Sequence, residues 1–249
     1  MFIETFLLLL ALNSLSAGRV SQPEGRIIGG ETIEIEQTPW QVSLLLKGVF
    51  QCGGSIYSAD IIISAAHCFF DEFEGRHSDQ EFQVRAGSAL KDSNGSVVDV
   101  FAAKTHEHFR WPFNDIAIVR LSKPLEFTNK VMPIPLATTN PFPGTTAFVS
   151  GWGYFLNAND VSLSYPKHLQ GLTLQIQWLE SCGLVHPSLI CAGVFGRSAC
   201  NGDSGGPLVA NKQLVGVVTG SLQPNCTSSS LYNSVPYFRD WILTTIASI

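Results

Sequence analysis

Residues Cys200–Val209 read "CNGDSGGPLV". One serine, Ser204, stands between an aspartate and two glycines. Glycine and serine fill turns for ordinary backbone reasons, so the stretch alone leaves two readings open. Ser204 is either a nucleophile or a small polar residue in a glycine-rich turn, and the rest of the chain must decide between them.

A serine hydroxyl is a poor nucleophile at neutral pH. It needs a base to take its proton and donors to hold the oxyanion that forms. His67 lies in "IIISAAHC", at the end of an apolar run, and Asp115 lies in "FNDIAIVRL", at the start of another. Each sets a polar side chain in an apolar context, where burial without a partner is costly. Either one alone reads as a core residue satisfied by a neighbour; with Ser204 they form a candidate nucleophile, base and acid.

Around these residues the chain alternates short apolar runs with turn residues. From Trp40, "WQVSLLL", "GSIYS", "DIIISAA", "EFQVRAG", "SVVDVFAA" and "DIAIVRL" fit strands. A second series follows: "TAFVSGWG", "LTLQIQWL", "PLVANKQLVGVVTGS" and "SLYNSV". Between them the proline-rich "LSKPLEFTNKVMPIPLATTNPFPG" reads as a connector. The pattern predicts an all-β sandwich or barrel in two halves. Near the end, Phe238, Trp241, Ile242, Thr245, Ile246 and Ile249 recur at helical spacing after Pro236, which predicts a packing helix.

The 249 residues are enough for a sizeable core. Hydrophobic residues make up 45% and charged ones 14%, which excludes a disordered charged tail protein. A net charge of -5 with no basic patch argues against nucleic acid as a partner. The start, "MFIETFLLLLALNSLSAG", reads as a secretory signal: the apolar run Phe6–Leu12 is too short to span a bilayer, and small residues follow it. Glu4 in place of a basic residue departs from the usual pattern. No later segment is long and apolar enough to cross a membrane, so no membrane partner is expected. Six cysteines in a secreted chain predict disulfides, with fifteen pairings open. Zinc is the rival use, and no C-x-x-C pair supports it.

"SAAHC", "NDIAIV", "VSGWG" and "CNGDSGGP" together place histidine, aspartate and serine in that order. From Ile27 to the C-terminus the sequence resembles the chymotrypsin/trypsin family of serine proteases. The resemblance implies an all-β fold of two antiparallel six-stranded β-barrels with a C-terminal helix. Together with the leader read above, it gives a signal peptide at 1–17, an activation propeptide at 18–26 and a peptidase domain at 27–249. Within that domain, barrel one spans about 27–130, barrel two about 131–235 and the helix about 236–249. It implies Ser204 as nucleophile, His67 as base, Asp115 as the acid that orients it, and the N–H groups of Gly202 and Ser204 as the oxyanion hole. It also implies the pairings Cys52–Cys68, Cys182–Cys191 and Cys200–Cys226, the middle loop being shorter than is usual for the family.

"GRIIGG" resembles the family's activation site. Cleavage after Arg26 would free the amine of Ile27 to pair with Asp203. A buried carboxylate without a partner costs several kcal/mol, so the resemblance implies a zymogen that is latent until cleaved. Six residues before Ser204, the pocket floor is Ser198, where a trypsin-like enzyme carries Asp; basic specificity is not expected, and a chymotrypsin- or elastase-like preference is. The wall reads Thr219, Gly220, Ser221 where Ser-Trp-Gly is common, and Ser230 replaces a second wall glycine, narrowing the pocket. With a neutral floor, efficient cleavage at the chain's own Arg26 is not expected, so a separate trypsin-like protease is the expected activator. Protein inhibitors and a monomeric state are further expectations from the family.

Asn94 in "NGS" is a glycosylation sequon; Asn225 in "NCT" is another, next to a disulfide cysteine. "THEHF" and the acidic "DEFEG" lack the ligand density of a metal site, so neither metal nor cofactor is expected. Two other functions compete. A non-catalytic binding protein on the same fold is one. The other is an esterase or lipase using the formal G-x-S-x-G of Gly202, Ser204 and Gly206, but that motif needs a strand-to-helix turn and another triad order.

Overall fold

Strand after strand shows the period of two that burial on one face demands. In a computed structural model of the chain, Phe82–Ala86 runs "FQVRA", with Phe82, Val84 and Ala86 buried and Gln83 and Arg85 half-buried between them. The structure describes residues 30–156, 163–164, 166–221, 223, 226 and 228–249. The expected signal peptide, propeptide, Arg26, Ile27 and Asn225 lie outside the described residues.

The first barrel uses β2 (Gln41–Leu46), β3 (Val49–Ile56), β4 (Ile61–Ser64), β5 (Phe82–Ala86), β6 (Ser96–Thr105) and β7 (Ala117–Leu121), after a short β1 (Glu31–Thr32). It closes in the order β2-β3-β4-β7-β6-β5, every neighbouring pair antiparallel. The strands that follow are β8 (Thr146–Gly151), the short hairpin β9 (Phe155–Leu156) and β10 (Leu163–Ser164), β11 (Gln170–Gln177), β12 (Leu189–Ala192), β13 (Pro207–Ala210), β14 (Gln213–Ser221) and β15 (Ser230–Ser234). The order β11-β12-β15-β14-β13-β8 closes through β8–β11 pairing into a second six-stranded barrel, with β1 added at β11. Closure leaves neither barrel with a long free edge.

Each predicted strand is present, and β12 is one the sequence pattern did not mark. Its four residues "LICA" are all buried, so they carry no alternation, and so short an apolar run around the half-cystine Cys191 reads as loop. Beyond Leu121, which ends β7, the proline-rich connector has no named strand, yet it buries Leu125, Val131, Ile134 and Leu136. The helix α1 (Val235–Ser248) starts at Ser234, whose hydroxyl accepts from the Tyr237 N–H at 3.1 Å. Its Val235, Phe238 and Ile242 join the cluster built on first-barrel residues such as Ile61, Phe69, Phe82 and Ile118.

The three disulfides are Cys52–Cys68, Cys182–Cys191 and Cys200–Cys226. Phe82 is fully buried with its ring centroid 4.6 Å from that of Phe69. Phe82→Ala leaves a cavity that closed strands cannot collapse to fill. A loss of about 3–5 kcal/mol in unfolding free energy is expected by chemical denaturation.

Candidate active site

His67 sits on the 3-10 turn Ala66–Phe69 that follows β4, and its neighbour Cys68 is bonded to Cys52 on β3. The disulfide ties the turn to the sheet. Asp115 precedes β7, which pairs with β4, so strand pairing brings the two side chains together. The His67 N–H donates to Asp115 Oδ1 at 2.8 Å, and Nδ1 lies 2.7 Å from Oδ2. An ionised carboxylate accepts only, so Nδ1 carries the proton and Nε2 keeps its lone pair. The Asp115 side chain is fully buried while that of His67 is 29% exposed.

A third side chain, which the sequence reading did not single out, completes this group. Asn233 on β15 accepts the Asp115 N–H on its Oδ1 at 3.1 Å. Its amide donates to the Pro112 carbonyl at 3.3 Å and to the Thr219 hydroxyl. The available signal was an asparagine inside the apolar run "SLYNSV": a buried amide needs partners, and partners imply a site. Thr219, expected on the pocket wall, is almost fully buried against Asn233. The register of β14 on β15 shifts between Val218 and Gly220, and the bulge re-aims the intervening side chain.

Burial lowers the His67 pKa, and the charge of Asp115 and its hydrogen bond raise it by more, so the balance lies above the ordinary 6.5.

Ser204 lies in the loop between Cys200 and β13. Its carbonyl accepts from the Gly53 N–H on β3 at 2.7 Å, which docks the loop beside the His67 turn. Gly205 explains the glycine at that contact. Its φ is +76°, and a Cβ there would lie 2.3 Å from Ser64 Oγ and 2.5 Å from the Gly53 carbonyl oxygen. The N–H groups of Gly202 and Ser204 donate to no acceptor among the described residues, whereas Asp203, Gly205 and Gly206 are all used within the fold. No hydrogen bond joins the Ser204 hydroxyl to His67, as is common before substrate tightens such a site.

Asp203 is fully buried; it accepts from the Gly153 N–H at 2.8 Å and the Cys200 N–H at 2.9 Å. Gly151 and Gly153 of "VSGWG" leave it room: a Cβ on either would lie 2.1 and 2.4 Å from its side-chain atoms. Burial pushes its pKa up to about 6 against these two backbone donors, and no cation pairs with it among the described residues.

In the pocket region, Ser198 and Ser230 are fully buried. The Ser198 hydroxyl donates to the Cys226 carbonyl at 2.5 Å, and that of Ser230 to the Ala199 carbonyl at 3.0 Å. Ser221 is half-buried and Gly220 has a φ of +147°. A cleft of about 850 Å³ opens beside His67, bordered by Phe70, Phe109, Arg110 and Trp111.

Elsewhere, His106 stacks on Trp241 at 4.8 Å and Glu107 accepts from the Trp241 indole N–H at 2.9 Å. Asp71 of the acidic loop accepts from the N–H groups of Phe73 and Gly75. Asn94 is exposed on the β5–β6 turn. Among the described residues, the one trio with metal-ligand spacing is Cys52, His67 and Cys68, and both its cysteines are spent in a disulfide.

Comparison with known proteins gives a consistent result. The family model for trypsin matches residues 27–242. Trypsin alpha of Drosophila melanogaster is 40% identical over 245 residues, covering 93% of this chain and 92% of that protein. Trypsin alpha-4 of Lucilia cuprina is 37% identical over 245 residues, with the same coverage, 93% and 92%. Among solved structures, neuropsin, a serine protease expressed in the limbic system of mouse brain, superposes with a TM-score of 0.75 at 25% identity, covering 87% of this chain and 98% of that one. A scabies mite inactivated protease paralogue, S-D1, gives 0.78 at 26% identity, covering 89% and 97%.

Two titrations follow from the buried carboxylates. Followed by NMR, His67 is expected to titrate above 6.5, and Asp115→Asn to bring it below, since burial then acts unopposed. The stabilisation linked to this raised histidine pKa is fully present below about pH 6.5 and is lost as pH rises through the folded midpoint. Asp203 behaves oppositely, being an acid with a raised folded pKa. Its penalty is absent below its ordinary 3.8, grows as pH rises to about 6, and is constant above. Thermal denaturation of the full chain should show stability falling across that window, and Asp203→Asn should remove this part of the slope.

Proposed function

The chain belongs to the trypsin family of serine proteases and is a serine endopeptidase; from that premise we propose that Ser204, His67 and Asp115 carry the reaction. Ser204 Oγ attacks the carbonyl carbon of the scissile bond while its proton passes to His67 Nε2. The tetrahedral oxyanion is held by the N–H groups of Gly202 and Ser204, donors that have no other acceptor among the described residues. Collapse breaks the C–N bond, and His67 returns the proton to the departing amine. Water then repeats the sequence on the acyl-enzyme and frees Ser204. Asp115 holds Nδ1 protonated and stabilises the imidazolium. The contact between His67 Nδ1 and Asp115 Oδ2, reinforced by the backbone N–H on Oδ1, is the observation that carries this reading.

The protein is a secreted, monomeric zymogen in this proposal, with residues 1–17 as its leader and 18–26 as its propeptide. Three disulfides suit an oxidising compartment, and Asn94 is placed to accept a glycan. Cleavage after Arg26 frees the Ile27 amine, and Asp203, buried and held among the described residues by two backbone donors, is the anion waiting for it. A neutral pocket floor at Ser198, its hydroxyl already committed to Cys226, favours apolar over basic residues and leaves activation to a separate trypsin-like protease.

A fluorophosphonate probe tests the proposal. Labelling is expected only after cleavage at Arg26 and not in Ser204→Ala. Absence of labelling in folded, cleaved protein overturns the nucleophile assignment; equal labelling before cleavage overturns the zymogen.

A further inference from the structure

Asn233 takes no part in the bond-making steps above, yet three hydrogen bonds converge on its fully buried side chain. An asparagine amide offers one acceptor oxygen and one two-donor nitrogen, and both are used here. Oδ1 accepts from the Asp115 N–H at 3.1 Å. The Nδ2 group donates to the Pro112 carbonyl at 3.3 Å and to the Thr219 hydroxyl. These partners settle which way round the amide sits, because a main-chain N–H can only donate and a main-chain carbonyl can only accept. An ionised carboxylate in its place would lose both donors, an ammonium its acceptor, and an aliphatic chain all three bonds.

The two ends of this contact are mounted differently. Asn233 lies inside β15, paired with Leu189 of β12 on one side and Val217 of β14 on the other, so the closed second barrel fixes its main chain from both sides. Asp115 stands before β7, which begins at Ala117, and its N–H is bonded to Asn233 rather than to a neighbouring strand. Pro112, three residues earlier, is held by the same amide. One side chain of the second barrel therefore pins the segment 112–115 at both of its ends. That segment carries the carboxylate on which His67 depends: Oδ2 lies 2.7 Å from Nδ1. A shift of the Asp115 main chain moves this oxygen, and with it the ring whose Nε2 must receive the serine proton. Misplacements on the order of 1 Å that start away from the reacting atoms can cost about 10²-fold in rate.

We propose that Asn233 is a positioning residue for the reaction: anchored in the second barrel, it fixes the main chain of Asp115 and, through Asp115, the orientation of His67. This rests on the proposed Ser204, His67 and Asp115 site, so the test keeps the two apart.

The activated full chain is compared with two variants. Asn233→Leu is close in size and carries no polar atom; Asn233→Ala leaves room for water to satisfy the three stranded groups without orienting them. Active molecules are counted by fluorophosphonate labelling run to completion, and kcat and KM are then measured per labelled molecule on one peptide substrate. Both variants are expected to lose about tenfold in kcat, with KM within about twofold of wild type. The acid limb of the kcat/KM profile is expected to move to lower pH, because a displaced Asp115 raises the His67 pKa less while burial still lowers it. A residue that only stabilises the fold lowers Tm and the labelled fraction but leaves kcat per labelled molecule and the acid limb in place. Either of these left unchanged overturns the role of Asn233 alone. Wild type that does not label sinks the Ser204 site and this inference with it. Should Asn233→Leu fail to fold, Asn233→Ala decides in the same way, and Asn233→Ser after it.

Discussion

The fully buried charge of Asp115 is the constraint around which the site is organised. An isolated carboxylate in such a place costs several kcal/mol or gives up its charge. Here both oxygens are satisfied from the His67 turn, one by its backbone and one by its ring. The N–H of Asp115 itself is taken by Asn233, a residue of the second barrel. The hydrogen-bonded pair thus draws on the closed first barrel and on a residue of the second. The group that raises the histidine's pKa is thus itself held by both barrels.

Asp203 shows the contrast. It is equally buried, yet its donors are two backbone N–H groups and no cation among the described residues. Asp115 lies beside a histidine that its charge holds above the ordinary pKa, while Asp203 is itself pushed up to about 6. One carboxylate is paired within the fold and the other keeps an unmet demand. Gly151 and Gly153 clear the space in which that demand is held.

Much of this was legible in the sequence, for different reasons at different places. Strands such as "FQVRA" announce themselves by alternation, whereas "PLVANKQLVGVVTGS", which reads as one run, folds as the two strands β13 and β14 joined at Asn211 and Lys212. The four buried residues of β12 have no polar face to mark them. The Ser204 loop, His67 and Asp115 were found by motif, because tight turns and buried charges restrict residue choice. Asn233 was missed because its partners lie 118 and 14 residues away, and only pairing in space reveals them. Thr219 was placed on the wall by resemblance alone; its contact with Asn233 depends on a bulge in β14, and single-residue register is not written in hydrophobicity.

The C-terminal helix follows the second barrel in the chain but inserts Phe238 and Ile242 into a core built on the first, and Arg120 on β7 donates to the Ile246 carbonyl at 3.3 Å. The half of the molecule made first is therefore completed by a helix that follows the second half in the chain. During synthesis, the earlier strands wait on the ribosome with an apolar face uncovered until the final turns emerge.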